Sequence, residues 1–533
     1  MSTTSPPPGG PTGPEYLEQG GGEPVPPSSS GGGGRRTALI AGGAVVLLAA
    51  AGAGTWAAMS FLGSGTQAAE ALPSDTLAYA SVDLDPSGSQ KIEAVRMLNK
   101  FPAIKKELGL DAEDDIRRKI FEAAECDGLS YDDDVAPWIG ATFALAAVDA
   151  GEEKPSPVGL MEVTDASGAE DGLTKLADCE GEGNGGGFVV EGDWAYYAET
   201  EEIARSAADA AADSTLADSA DHQRWMDEVG DPGVMNMYAA PGAGQVISEL
   251  MSSDLAQDPA MGELPPGAAD EMTKMFEDFG GAAATVRFAD GALEVEYAAD
   301  LPEQNAMILP IDEDTTLELV DSLPDDTAVA YGAALPEGWA DSLVDALGTY
   351  GIPPEQIEQG LAQAEAQTGL TLPEDLETLL GEQFVVAFGG GVDMEALMNS
   401  GDPTGIPLGV KVRGDAAGVE DVMGKLGQSS GMPEMFETET SGDDVVWSLG
   451  PDYRSTLAEG GSLGDTDTFQ AAVPEADRAN SVLFVNFDAG NWLDEVAAMD
   501  PAVGDNLEPL TALGISGWLE DGTSHGQVRL ATD

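Results

Sequence analysis

Leu72-Pro-Ser-Asp-Thr-Leu-Ala-Tyr79 recurs later in the chain as Leu323-Pro-Asp-Asp-Thr-Ala-Val-Ala-Tyr331, with one residue inserted. Three further segments recur in the same order. They are Gly128–Gly140 with Gly369–Gly381, Pro157-Val-Gly-Leu160 with Pro407-Leu-Gly-Val410, and His222-Gln223 with Phe469-Gln470. Self-similarity at a nearly constant spacing is the sequence signature of internal repetition. The sequence therefore predicts that the region after the first 62 residues is a duplication.

Each copy has the same predicted order of elements. A strand opens it, at Leu77 to Leu84 in the first copy and at Ala328 to Ala334 in the second. Further short strands follow, separated by turns and by blocks of helix, which is typical of an antiparallel or mixed sheet covered by helices. The predicted fold class is α+β: two tandem homologous modules, each a mostly antiparallel or mixed sheet covered by helices, preceded by one transmembrane helix.

Acidic residues follow a hydroxyl residue at a fixed distance in both copies. Ser130 stands three residues before Asp133, and Thr371 stands three residues before Glu374. This is the spacing of a capping box, in which hydroxyl and carboxylate accept hydrogen bonds from the first free amides of a helix. The pattern predicts a helix start at each place and argues against a metal site there.

Residues 37–62 carry no charge over 26 positions. A bilayer core of about 30 Å requires roughly 20 such residues, so this segment is long enough to span it. Arg35 and Arg36 precede it, and the first charge after it is Glu70. Positive residues before the span place the N-terminus in the cytoplasm. The alternative, a cleaved signal peptide, has an apolar stretch roughly half as long and does not follow a polar leader of this length.

The predicted domain organisation follows from these features. Pro- and Gly-rich composition predicts a disordered cytoplasmic tail, because such a segment cannot bury a core. The predicted segments are the tail at 1–36, the transmembrane helix at 37–62, extracytoplasmic module 1 at 63–300, a linker at 301–321, and module 2 at 322–533.

The charge balance limits the partners. There are 97 acidic and 22 basic residues, a net charge of −75, which repels nucleic acid and anionic lipid headgroups and attracts cations. The predicted partners are the membrane, through residues 37–62, an envelope or membrane protein, and weakly bound divalent cations, with no nucleic acid. The alternative interpretation of the acids is a solvated coat without a specific ligand.

Cys126 and Cys179 are the two cysteines, and both lie in the first copy. In an oxidising exterior two cysteines predict a disulfide. Two unpaired thiols are the alternative. A metal site is not predicted, because it requires more ligands.

Three motifs are expected not to form the sites that they resemble. The G-x-S-x-G pattern around Ser462 follows a helix-like run, whereas a nucleophile elbow needs a strand before it. Residues 181–186 match G-x-G-x-x-G, but they follow a helix, the reverse of the dinucleotide-binding order. The calcium-loop-like start at Asp83 has Ala94 at the twelfth position, where a glutamate is required.

Histidine is scarce, with only His222 and His525. This restricts acid–base chemistry near neutral pH. Because Phe469 takes the place of His222 in the second copy, His222 is predicted on a helix surface or rim. No catalytic residue, metal ligand or cofactor is predicted.

The L-P-x-D-T strand opening, the G-L-[ST]-x-x-[DE]-D helix and the FQ segment, behind a Pro/Gly-rich tail and one anchor, resemble a family of bacterial membrane-anchored proteins, of high-GC Gram-positive type, known only as a domain of unknown function. The resemblance covers most of residues 65–533. It implies architecture and location, and it brings no catalytic residues.

The functional hypothesis is a non-enzymatic, membrane-anchored ectodomain that binds or organises something at the envelope. One alternative is a carrier or sensor of a small molecule, lipid or wall polymer in a cleft between the modules. Another is a hydrolase that uses two carboxylates with disturbed pKa values.

Overall fold

A computed structural model gives the fold and describes residues 67–84, 89–101, 116–123, 128–149, 155–180, 186–244, 279–300, 313, 315–349, 353–391, 403–490, 492–493 and 507–533. The predicted membrane segment at 37–62, with Arg35 and Arg36, lies outside these ranges. Within them, no helix has both the length and the apolar character needed to cross a bilayer.

The sixteen strands of the described residues form one sheet. They are β1 Ala78–Asp83, β2 Ile139–Val148, β3 Ser156–Val163, β4 Gly187–Glu191, β5 Trp194–Ala198, β6 Met235–Ala239, β7 Gly281–Ala289, β8 Ala292–Asp300, β9 Thr327–Ala334, β10 Gln383–Gly389, β11 Leu408–Arg413, β12 Thr438–Ser441, β13 Asp444–Ser448, β14 Ser481–Asn486, β15 Leu510–Glu520 and β16 Thr523–Thr532. Their order is β12-β13-β11-β10-β9-β14-β15-β16-β8-β7-β6-β1-β2-β3-β5-β4. Every neighbouring pair is antiparallel.

Helices pack on both faces of this sheet. The described ones are α1 Ser89–Lys100, α2 Ile116–Ala123, α3 Ala166–Glu180, α4 Glu201–Asp213, α5 Ala220–Glu228, α6 Trp339–Thr349, α7 Pro354–Thr368, α8 Glu374–Leu380, α9 Ala416–Ser430, α10 Pro451–Glu459 and α11 Asp467–Ala472. Alternate strand residues point to opposite faces. Tyr79 packs with α4 and α5 on one face, whereas Val82 packs with α1 on the other.

The prediction of two tandem modules, each with its own sheet, is wrong. β8 and β16 pair directly through eight residue pairs, from Ala292 opposite Ala531 to Ala299 opposite Ser524. The first half (residues 67–300) and the second half (residues 315–533) therefore share one sheet. Local periodicity predicts where a strand lies, but it does not predict which distant edge the strand will pair with. Two exposed edges of this kind gain hydrogen bonds by joining.

The two halves have the same strand order. It is β4-β5-β3-β2-β1-β6-β7-β8 in the first half and β12-β13-β11-β10-β9-β14-β15-β16 in the second. Backbone hydrogen bonds also correspond: Leu216 donates to Leu72 at 2.7 Å, and Leu463 donates to Leu323 at 3.1 Å.

The repeated opening motif aligns without the inserted residue that the sequence comparison predicts. Thr76 donates its hydroxyl hydrogen to the Pro73 carbonyl at 2.7 Å, and Thr327 donates to Pro324 at the same distance. Counting on from these threonines, Tyr79 corresponds to Ala330. The pairing of Tyr79 with Tyr331 is therefore wrong by one position, which is the difference between a buried and an exposed side chain.

The predicted capping boxes are also displaced by one residue. The carboxylate of Asp134, not of Asp133, accepts from the Ser130 amide at 2.9 Å, and Asp375 accepts from the Thr371 amide at 2.7 Å. In both halves the acid that accepts the bond lies four residues after the donating amide, and not three as predicted. In both halves a lysine of the following long helix binds the same acid: Lys175 on Asp134 at 2.5 Å and Lys425 on Asp375 at 3.0 Å.

A buried ion cluster lies where the two halves join. Glu294 on β8 stands between Arg287 on β7 and Arg529 on β16. Its carboxylate accepts from Arg287 Nε at 2.7 Å and pairs with Arg529 at 3.2 Å. Arg287 also binds Glu296. A buried charge without a partner is costly, so these three strands are held to one register.

A double-mutant cycle tests the contact between β8 and β16. Gly526 lies opposite Tyr297, and a Cβ there would be 2.3 Å from the tyrosine ring. We expect Gly526→Ala to cost about 1–3 kcal/mol of unfolding free energy, because the ring must move away. The cost should fall by more than about 0.5 kcal/mol in a Tyr297→Ala background. Urea denaturation measures both values.

Gly424→Ala, at a helical position with no atom near the added methyl group, is the control and should add independently to Tyr297→Ala. Full additivity of Gly526→Ala and Tyr297→Ala would contradict the continuous sheet.

Candidate functional site

A groove lies in the second half, on the sheet face that carries Phe484. Its volume is about 660 Å³, within the range of sites for small molecules. Its walls are α11 and three 3-10 helices, at Leu319–Ser322, Leu463–Asp465 and Ala476–Arg478. Four carboxylates line it: Glu318, Asp321, Asp465 and Asp477.

Two short motifs that are distant in sequence are joined by hydrogen bonds beside the groove, and Gly461, Ser462 and Gly464 of one of them line it. Asp325, from the repeated Leu-Pro-Asp-Asp-Thr motif, accepts from the Ser462 amide at 2.8 Å and from its hydroxyl at 3.2 Å. The next residue, Leu463, donates its amide hydrogen to the Leu323 carbonyl at 3.1 Å. These bonds hold the Gly-Gly-Ser-Leu-Gly segment against the start of the second half.

Gly464 brings the backbone close to Asp321. A Cβ on Gly464 would lie 2.5 Å from a carboxylate oxygen of Asp321. Any other residue would push this side chain away. The glycine therefore sets the position of the carboxylate in the groove.

The groove concentrates negative charge. Partial burial raises the pKa of Asp321, and the neighbouring Asp477, Asp465 and Glu318 raise it further. Among the described residues, neither Asp321 nor its neighbours Asp465 and Asp477 forms an ion pair with a basic side chain, and Glu318 has only a 3.5 Å contact with Arg413. Asp321, Asp465 and Asp477 therefore repel one another without a basic partner among the described residues, and a bound cation would relieve this repulsion.

The carboxylates of the groove are spread out around it. Across the part of the chain that the structure describes, no three His, Cys, Asp or Glu side chains are placed to hold a metal ion. Carboxylates spread around about 660 Å³ match positive charges that are also spread out, as in a molecule with several ammonium or guanidinium groups.

Ser462 lines this groove but is not in a nucleophile elbow, as its sequence context predicts. It precedes the 3-10 helix Leu463–Asp465, and its hydroxyl donates to Asp325. His525, the histidine that follows it in sequence, lies on β16, where its ring stacks on Trp518 at 5.3 Å.

The prediction that His222 lies on a helix surface is wrong. Its side chain is only 6% exposed, and its Nε2 lies 3.2 Å from the Tyr79 hydroxyl. The ring also meets Tyr238 edge-on at 5.1 Å. In the second half Ala330, Phe469 and Phe484 take these three positions. The first half thus has three polar side chains where the second half has three apolar ones. The sequence comparison did not reveal this difference at Tyr79, because it aligned Tyr79 with Tyr331 and not with Ala330.

The other predicted sites lie mostly outside the described residues. Cys126 does, and Cys179 is in α3, so the disulfide stays a prediction. The glycine-rich match at 181–186 and the calcium-like loop are outside except for Gly186, Asp83, Leu84 and the helical residues that begin at Ser89. Asp83 itself is buried at the end of β1.

One comparison with known proteins gives a match. Residues 40–184 match a family model described as a protein of unknown function, DUF3352. The match covers little more than a quarter of the chain, from within the predicted membrane segment to the end of α3. Neither the curated proteins nor the solved structures give a match. The first part of the chain is thus similar to an uncharacterised domain family, and that similarity names no activity.

The repulsion in the groove predicts the effect of Asp321→Asn. The folded-state pKa of Asp321 is raised above its ordinary 3.8, so this group favours folding at low pH, and that contribution is lost as the pH rises through the folded value. At about pH 7 and low salt, we expect the variant to be more stable by about 0.5 kcal/mol, a small gain because the side chain is exposed.

The gain should disappear below about pH 3.5, where the wild-type carboxyl is protonated in both states, and it should shrink in salt. Thermal unfolding across pH measures it. Glu358→Gln, an exposed acid on α7, removes the same charge elsewhere. An equal gain from this control would refute local repulsion.

Proposed function

We propose that this chain is a membrane-tethered extracytoplasmic binding protein, and that the acidic groove receives a cationic ligand of low molecular mass. The observation that carries the proposal is the uncompensated set of carboxylates around a cavity of about 660 Å³. The net charge of −75 adds a long-range field that draws cations toward the surface. The groove then supplies the local geometry that a general acidic coat lacks.

Spermidine is a suitable first probe, because its three positive charges are spread along a flexible chain. We expect the purified full-length protein to bind it in calorimetry. The double substitution Asp321→Asn with Asp477→Asn should weaken binding at least about tenfold, or about 1.4 kcal/mol. Calcium should compete only weakly, since the described residues form no cluster able to hold a metal ion.

The matched control is Glu355→Gln with Glu358→Gln, which removes two exposed charges from α7. If it weakens spermidine binding as much as the groove substitutions do, the protein collects cations over its whole surface and the groove is no site.

The membrane tether is part of this proposal. It is supported by the uncharged stretch 37–62 and by Arg35 and Arg36 before it, which together favour a single span with a cytoplasmic N-terminus. The acidic body would then lie outside, where an envelope or membrane protein is a further candidate partner.

We expect the full-length chain to remain with membranes during alkaline carbonate washing, and a variant lacking residues 37–62 to be released. Protease added to intact protoplasts should degrade the C-terminal part of the wild-type chain. Release of the wild-type protein, or protection of its C-terminal part, would refute this arrangement.

The corresponding strand orders support descent of the two halves from one ancestral unit, and part of the acidic lining recurs in the first half. At the positions of Glu318 and Asp321 the first half has Gln67 and Glu70. The direct pairing of β8 and β16 puts a hydrogen-bonded ladder where the carrier hypothesis requires a cleft between modules.

A carboxylate-based hydrolase is the second candidate, and the raised pKa of Asp321 beside three acids favours it. Such an enzyme needs one carboxyl that holds its proton and one that does not. Assays on wall glycans and peptides distinguish the two functions: turnover lost in Asp321→Asn supports hydrolysis, and binding without turnover supports the first proposal.

A further inference from the structure

One histidine of the chain is part of helix α5, and the other contacts its last residue. The sequence contains only His222 and His525. His222 is part of α5 (Ala220–Glu228), and His525 Nε2 lies 3.7 Å from a carboxylate oxygen of Glu228, the last residue of that helix. Histidine is the side chain whose ordinary pKa lies between about pH 5 and 8. The two histidines therefore lie at the two ends of α5.

His222 is enclosed by aromatic groups of the sheet. Its ring centroid is 5.8 Å from that of Tyr79 on β1 and 5.1 Å from that of Tyr238 on β6. Nε2 shares a hydrogen bond with the Tyr79 hydroxyl, whereas Nδ1 is buried without a hydrogen-bond partner. A neutral imidazole can leave one nitrogen unprotonated, so this pocket suits the neutral form.

Protonation of His222 would place a positive charge in a buried pocket that has no hydrogen-bond acceptor for Nδ1. Both ring nitrogens of the imidazolium are donors, and Nδ1 has no acceptor. Burial accordingly lowers the pKa of His222 to about 4. A charge forced into this pocket is stabilised best if α5 moves away from the sheet and water enters.

The groups packed around α5 do not supply a counter-charge at Nδ1. On the sheet side, burial raises the pKa of both tyrosines, so Tyr79 and Tyr238 stay neutral. Asp218, in the preceding 3-10 helix, binds the Thr215 hydroxyl at 3.0 Å. The negative charge of Asp221, on α5 itself, adds to the effect of burial in raising the pKa of Tyr238.

Charged groups on β7 and β8 lie near the far end of α5. Arg287 binds Glu294 and Glu296 and donates to the Val229 carbonyl at 2.8 Å. Burial raises the pKa of Glu296. These groups, with Glu228 and Asp227, lie at the C-terminal end and not beside the imidazole of His222.

The second half provides an internal comparison. Phe469 and Phe484 meet edge-on at 5.1 Å, the same arrangement as His222 with Tyr238. Ala330 takes the place of Tyr79. The corresponding helix, α11, therefore packs on the sheet through groups that do not titrate.

We propose that α5 is an acid-responsive element of the first half: protonation of His222 releases the N-terminal part of the helix from Tyr79 and Tyr238, while the C-terminal end stays attached through Glu228 and His525. The attachment becomes an ion pair when His525 is protonated, which requires a pH below the ordinary histidine range, because burial lowers the pKa of His525 more than Glu228 and Glu520 raise it. Opening exposes Trp225, which is fully buried in the closed form. The response lies between the ordinary histidine pKa near 6.5 and the folded value of about 4.

Hydrogen exchange of the full-length chain tests this response. After correction for the intrinsic pH dependence of exchange, protection of residues 220–228 should fall more than tenfold between about pH 7 and about pH 4.5. Residues 467–472 should keep their protection. His222→Phe, which copies the second half, should abolish the fall, and adding Tyr79→Phe removes the hydroxyl that the first change leaves unpaired.

The reciprocal substitution is Phe469→His, which should make residues 467–472 acid-sensitive. Loss of protection at 220–228 that persists in the variants lacking His222 would overturn the proposal, and so would full protection of wild-type α5 at about pH 4.5. If His222→Phe folds poorly, hydrogen exchange in Tyr79→Phe decides, because this variant keeps His222: acid should still lower the protection of α5, and unchanged protection would overturn the proposal.

Discussion

The pairing of β8 with β16 is the constraint on which the rest of the architecture depends. Each of these strands is the last of its half and would otherwise be an edge, with unpaired amides and carbonyls. Their eight residue pairs turn two eight-stranded sheets into one. Glu294, held between Arg287 and Arg529, makes a shifted register costly, because a slip would leave a buried charge unpaired. Groups from different halves, such as Glu228 and His525, are neighbours only because of this pairing.

The sequence predicts the strands well and their assembly poorly. The predicted strands at Leu77 to Leu84 and at Ala328 to Ala334 agree with β1 and β9 to within one residue at each end, since strand length and turn residues are local properties. The union of the halves depends on contacts more than 200 residues apart, and no local pattern reports such a contact. A shift of one residue at Tyr79 also had a large effect, because it exchanges the two faces of a strand. The acidic groove could not be predicted for the same reason: Asp321 and Asp465 are close only in the folded chain.

The two halves use one framework for different chemistry. Phe469 lies in the groove lining and is only 1% exposed. Its counterpart His222 is also buried, at 6% exposed, but its side chain can take up a proton. In the second half, the residue at this position is Phe469, which does not titrate and lies against the acidic groove. In the first half, it is His222, which titrates and packs between α5 and the sheet. Packing of this kind tolerates such exchange, because an imidazole and a phenyl ring of similar shape meet their neighbours edge-on at the same 5.1 Å.

The small number of basic residues explains why Asp321, Asp465 and Asp477 in the groove have no basic partner among the described residues. Only 22 lysines and arginines serve 97 acids, and many of those in the described residues hold fixed structural positions. Lys175 and Lys425 bind the acids at two helix starts, and Arg413 binds Asp444 at 2.9 Å. Lys411 donates to Ser322, a residue of the groove lining, at 2.8 Å and faces Asp444. Moving Lys175 or Lys425 toward Asp321 would leave Asp134 or Asp375 without its lysine. Among the described residues, Asp321 faces three other carboxylates and no basic side chain, and this is why we propose that a cation from solution binds in the groove.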